Sequence, residues 1–151
     1  MSKTETKSAG ARTRARELMV QALYQKQISG HSTVELVAQF REDTSYARVD
    51  QAFFDELFPA ISDGQEHLEE KIAGLIDRPL EQLDPIELSI LLIGLYELEA
   101  RIDIPYRVVI NEGVNLAKRF GAAESHKYIN ACLDGAAQSL RTIEVQANAG
   151  G

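Results

Sequence analysis

A single cysteine, Cys132, stands among 151 residues, so no intramolecular disulfide can form; a lone thiol fits a reducing cytosol. The three histidines, His31, His67 and His126, are scattered, with neither H-x-x-x-H spacing nor neighbouring cysteines, which excludes the common zinc patterns. The most apolar run, Leu88–Leu95, falls far short of the about 20 residues that a bilayer-spanning helix needs. The opening MSKTETKSAG has no apolar core of the kind a secretory signal carries. The phosphate-binding loops G-x-x-x-x-G-K-[ST] and G-x-G-x-x-G are missing. No stretch alternates apolar and polar residues with a period of two, and neither a long-period repeat nor a heptad run is present. These absences predict an all-α chain with no cofactor, no metal site and no membrane span, located in the cytoplasm, that binds rather than catalyses.

The residues that are present support one helical domain. Apolar residues make up 44% and charged residues 26%, ordinary for a globular chain long enough to bury a core. From about Arg12, the positions Ala15, Leu18, Met19 and Ala22 follow helical spacing, and Gly30 stops that helix. Ser32 and Glu35 form an S-x-x-E capping box for a second helix, with Val34, Val37 and Phe40 inward. Residues 42–48 read as a loop. Phe53, Phe54, Leu57, Phe58 and Ile61 continue into Leu68, Ile72, Leu75 and Ile76, one long helix bent at Pro59 or, alternatively, two shorter ones. Asp84-Pro85-Ile86-Glu87 is a strong helix start, with Asp as cap, Pro at the first position and Glu87 able to bond back. The helix that follows is apolar nearly all round, as a central bundle helix must be. A helix from Pro105 to Phe120 is stopped by Gly121, and a last one runs from about Glu124 to Thr142, with Ile129, Cys132, Leu133, Ala136, Ala137 and Leu140 inward. Residues 1–11 read as a disordered basic tail, 12–143 as one all-α domain, and 144–151 as a disordered tail.

Charge is unevenly spread. The net charge is −7, yet the first 16 residues hold Lys3, Lys7, Arg12, Arg14 and Arg16 against Glu5 alone. A cation at a helix N-terminus opposes the dipole there, at a cost of about 0.3–1 kcal/mol. The arginines are either a solubilising tail or a contact for a single nucleic-acid strand, since guanidinium grips phosphate bidentately and stacks on bases. In a helix, Arg12 and Arg16 share one side. A second cationic stretch is KRFGAAESHKYIN, residues 118–130. Lys118 and Arg119 suit the end of their helix by dipole logic. Lys127 does not suit the start of the next, and Tyr128 beside it is either core or a stacking ring. Cations plus an aromatic ring around a short loop are what single strands use.

The pieces RTRARELMVQALYQ, LDPIELSILLIGLYELEAR and IPYRVVINEGVNLAKRFGAAESHKYIN resemble the bacterial NusB family of transcription antitermination factors, in the right order over most of residues 12–140. The block from Pro105 to Asn130 is the specific part, and the stretch from about Val34 to Ile76 matches only in pattern. The resemblance implies two small three-helix sub-bundles and no catalysis. It implies that the protein binds single-stranded boxA RNA of ribosomal RNA operons together with the ribosomal protein NusE, and through them serves the antitermination complex of RNA polymerase. Carried over by position, Arg12, Arg14 and Arg16 match the arginine-rich RNA segment, with Thr13 where some members have another Arg. Lys127 and Tyr128 match the element beside the RNA, flanked by Lys118 and Arg119. Glu124 matches an acidic position whose neutralisation strengthens RNA binding. Tyr24, Ile28, Glu81 and Glu87 match the face that meets NusE, a face on which two copies can pair weakly when NusE is absent. The alternative is a purely protein-binding helical adaptor that never touches RNA.

Overall fold

The computed structural model describes residues 2–150, with side chains from Gly10 to Ala149. They form eight α-helices and two short 3-10 turns, with no strand among the described residues. The chain divides into two compact units, Met1–Gly64 and Gln65–Gly151.

The first unit holds the helices α1 (Ser2–Ser29), α2 (Thr33–Arg41) and α3 (Gln51–Asp63). Helix α1 starts at Ser2 rather than Arg12, so residues 2–11 of the expected tail are drawn into it and residue 1 lies outside the described residues; no proline interrupts the segment, and the side chains of Lys3 and Lys7 lie outside the described ones. Gly30 ends the helix with φ +75°, donating its N–H to the Lys26 carbonyl at 2.9 Å, a left-handed stop that glycine makes without strain. The capping box of α2 is complete: the Glu35 N–H donates to Ser32 Oγ and the Ser32 N–H to Glu35 Oε1. The inward stripe differs from the expected one. Leu36 and Phe40 are buried, one turn apart, while Val34 in the first turn is 79% exposed. Residues 44–48, expected as a loop, wind into a 3-10 turn capped by Asp43. Helix α3 buries Phe53, Phe54, Leu57, Phe58 and Ile61 as the spacing requires. It carries Pro59 inside but breaks at Gly64, five residues later, so the two-helix alternative is the observed one.

The second unit holds α4 (Gln65–Ala73), α5 (Pro85–Ala100), α6 (Tyr106–Phe120), α7 (Ser125–Leu140) and α8 (Thr142–Gly150). The resemblance led us to expect three helices here; α4 and α8 pack around a centre of α5, α6 and α7. Asp84 caps α5 by accepting from the Ile86 and Glu87 amides, and the helix buries residues on every side from Leu88 to Leu95. Gly94 on α5 and Gly113 on α6 are required by one neighbour: a Cβ at either would stand 2.7 or 2.6 Å from a methyl of Leu133 on α7. The expected loose tail is instead α8, tied down by Arg141. Only 5% exposed, Arg141 donates to the carbonyls of Leu98 (2.7 Å), Glu97 (3.1 Å) and Arg101 (2.9 Å) and to Glu144 (2.6 Å). The Glu97 and Arg101 carbonyls also accept the Arg101 and Ile104 amides, so the guanidinium adds a second donor to these two and satisfies the Leu98 carbonyl at the end of α5.

Candidate nucleic-acid interface

In the first unit the three arginines take three different situations. Arg12 and Arg16, one helical turn apart, both lie over the Phe53 ring, at 4.8 and 5.0 Å from its centroid. Arg12 remains half-buried and pairs with Asp50 at 3.4 Å. Arg16 is only 2% exposed, so its guanidinium belongs to the packing against α3, where the ring's negative face offsets part of the charge's desolvation. Arg14 points elsewhere: it is exposed and its Nε donates to the Arg48 carbonyl at 2.8 Å. The Asp50 N–H donates to the Ala11 carbonyl at 3.0 Å. The arginine segment therefore clasps residues 48–50, and it leaves Arg14 exposed and Arg12 exposed in part. Arg12 and Arg16 share a side, as helical spacing requires, but that side packs on Phe53 and Arg16 lies buried there. Further along α1, Tyr24 and Ile28 are 40% and 64% exposed, one turn apart on a single side.

In the second unit Lys118 and Arg119 are exposed in the last turn of α6, with the Arg119 guanidinium 5.4 Å over the Phe120 ring. Gly121 closes the helix. Glu124, the N-cap of α7, adopts φ +76°, a left-handed conformation that costs a non-glycine residue about 1 kcal/mol. From there its carboxylate reaches Lys127 Nζ at 2.7 Å, both groups being well exposed. Ser125, by contrast, is buried and donates to Glu87 Oε2 at 2.9 Å. Glu87 does not serve as the reciprocal cap read from the sequence; its carboxylate joins the start of α5 to the start of α7. Glu81 is exposed on the 3-10 turn Leu80–Gln82.

Tyr128 is neither simply core nor simply surface. Its ring is half-buried, and the Arg78 guanidinium lies 4.4 Å over the centroid. Its hydroxyl is buried with no hydrogen-bond partner of ordinary geometry; the Cys132 thiol one turn on is a weak one. Burial, with the Cys132 sulfur adding to it, pushes the phenol up to about 12. The phenol stays neutral at any physiological pH and the ring acts as an apolar, polarisable plane. No group of His, Cys, Asp and Glu among the described residues could hold a metal ion, and no described helix is long and apolar enough to cross a membrane.

The family model of NusB matches residues 13–138. The chain belongs to the NusB family. It is 45% identical over 140 residues to the transcription antitermination protein NusB of Hydrogenovibrio crunogenus, covering 93% of this chain and 87% of that one. It is 48% identical over 137 residues to NusB of Pseudomonas entomophila, covering 91% and 82%. Among solved structures, NusB of T. maritima superposes with a TM-score of 0.73 over 85% of this chain and 91% of that one, at 23% identity, a likeness of fold. The function that goes with the NusB family is transcription antitermination, a regulatory role within the antitermination complex.

Set on this NusB-family fold, the sequence-derived cations fall in both units, and each unit also supplies residues that sequence reasoning passed over. Asp50 and the Arg48 carbonyl hold the arginine segment; nothing local in 11–25 announces them. Arg78 was overlooked although a signal existed. It is the one basic residue in the stretch 77–87, which holds four acids, Asp77, Glu81, Asp84 and Glu87.

Proposed function

We propose that this chain works without catalysis, by holding single-stranded boxA RNA of ribosomal RNA operons together with NusE, in the cytoplasm where RNA polymerase assembles its antitermination complex. The observation that carries the reading is the start of α7: an exposed Lys127 beside a half-buried Tyr128 ring, with Lys118 and Arg119 close by in sequence on an otherwise acidic chain. Cations meet phosphate, and a neutral ring gives a base a flat place to settle against. Arg14 and Arg12 in the first unit give a second place for phosphate. The partner reading rests on different residues. Tyr24 and Ile28 expose an apolar pair, the kind of anchor that protein interfaces bury, and Glu81 and Glu87 supply acceptors for a basic partner.

The two halves of the proposal are tested together. Short boxA and scrambled RNAs are titrated with the protein, with and without NusE, and read by fluorescence anisotropy. Preference for boxA that tightens when NusE is added is the expected outcome; no binding in either case favours the purely protein-binding adaptor. Glu87→Gln keeps an acceptor for Ser125 and removes the charge. It is expected to weaken NusE binding about tenfold while leaving RNA binding alone, whereas Glu87→Ala, which also releases Ser125, lowers both. Equal NusE affinity for wild type and Glu87→Gln would take Glu87 out of the partner face.

A further inference from the structure

We infer that Arg78 supplies the plane on which a nucleotide base stacks at the Tyr128 site, with the tyrosine ring as its backing. The inference rests on the RNA reading given above and deepens it by naming a residue and a contact. Arg78 belongs to the segment between α4 and α5, and its side chain is 41% exposed, while the ring beneath it is half-buried with its hydroxyl end sealed. A base approaching Tyr128 from solvent therefore meets the guanidinium, and at 4.4 Å from the ring centroid that group lies in stacking contact with it. Its carboxylate neighbour Asp77, at 3.3 Å, is 82% exposed, so water screens the pair and it gives way readily to a phosphate or base. Pro79 follows directly with φ −59°, and a residue before proline is confined to extended backbone. The guanidinium is thus positioned by a stiff turn and by a ring, ahead of any ligand.

A lysine in this place would bring the same charge and no plane, which separates stacking from simple attraction. Arg78→Ala and Arg78→Lys are compared with wild type and with Lys127→Ala on a boxA oligonucleotide carrying 2-aminopurine, in the presence of NusE. Affinity is read by anisotropy and stacking by quenching of the 2-aminopurine. Arg78→Ala is expected to weaken binding about tenfold and to remove the quenching. Arg78→Lys is expected to recover part of the affinity through its charge and none of the quenching. Thermal melts of all variants matching wild type keep the comparison free of folding effects. Wild-type affinity and quenching in Arg78→Ala, with Lys127→Ala weakened, overturns the role of Arg78 alone. Full recovery of both signals by Arg78→Lys overturns stacking in favour of charge. Failure of the wild type to bind the RNA at all overturns the reading on which the inference rests.

Discussion

Three arginines at alternate positions on one helix do not do one job. Arg16 is buried over Phe53, Arg12 shares that ring but keeps contact with water and Asp50, and Arg14 alone stands out. Their substitutions should separate accordingly. Arg14→Ala is expected to leave stability within about 0.5 kcal/mol and to make the salt dependence of RNA binding shallower by about 0.7, the share of one phosphate on a single strand. Arg16→Ala is expected to cost about 1–3 kcal/mol in urea unfolding, through lost packing of its stem and guanidinium, with the slope unchanged. Salt titrations and urea midpoints on the two variants check both. The sequence showed that Arg12 and Arg16 share a side, because that follows from helical spacing. It did not show that the shared side faces inward, because Phe53 and Asp50 lie far along the chain and no local pattern links them to 12–16.

Among the elements, those set by their own residues were readable and those set by distant contacts were not. Asp84-Pro85 starts α5 by local chemistry, Ser32 and Glu35 start α2, and Gly30 stops α1. The all-round apolar character of α5 announced its central place. The second unit's extra helix α8 was missed because what holds it is not apolar periodicity but Arg141. That side chain joins the carbonyls at the end of α5 to Glu144, whose other carboxylate oxygen accepts the Tyr106 N–H at 2.9 Å. Arg141→Ala is expected to cost about 2–4 kcal/mol, since it strands the Leu98 carbonyl, leaves Glu144 without its partner and empties a buried site, and Arg141→Lys to recover little, since an ammonium cannot fork to them all. Urea unfolding measures both. Glu144 carries a pH consequence. Burial raises its carboxyl, but the Tyr106 amide and Arg141 outweigh that and the net shift is downward from 4.5. A depressed carboxyl adds stability that is complete above its unfolded value and is lost as pH falls through the folded one, so the anchoring of α8 weakens only in acid.

On the scale of the whole molecule, a net charge of −7 repels nucleic acid in bulk, and attraction has to come from a few placed cations. Neutralising about three or four phosphates of a single strand predicts a log–log salt slope of about −2 to −3. A slope near zero, or one steeper than about −5, measured by anisotropy across a range of potassium chloride, would contradict local recognition. Two all-α units were legible as a class from helical periodicity and from resemblance, and the positions of Lys127 and Tyr128 at a helix start were legible too. Which cations reach solvent was not, since burial is decided by residues that a linear reading cannot bring together.

Glu124 bends its backbone into a shape that glycine would take without effort, and from that shape it occupies the ammonium of Lys127. Replacing it with glycine would relax the turn and release the cation in one step. The sturdier protein and the one with the freer cation are thus the same protein.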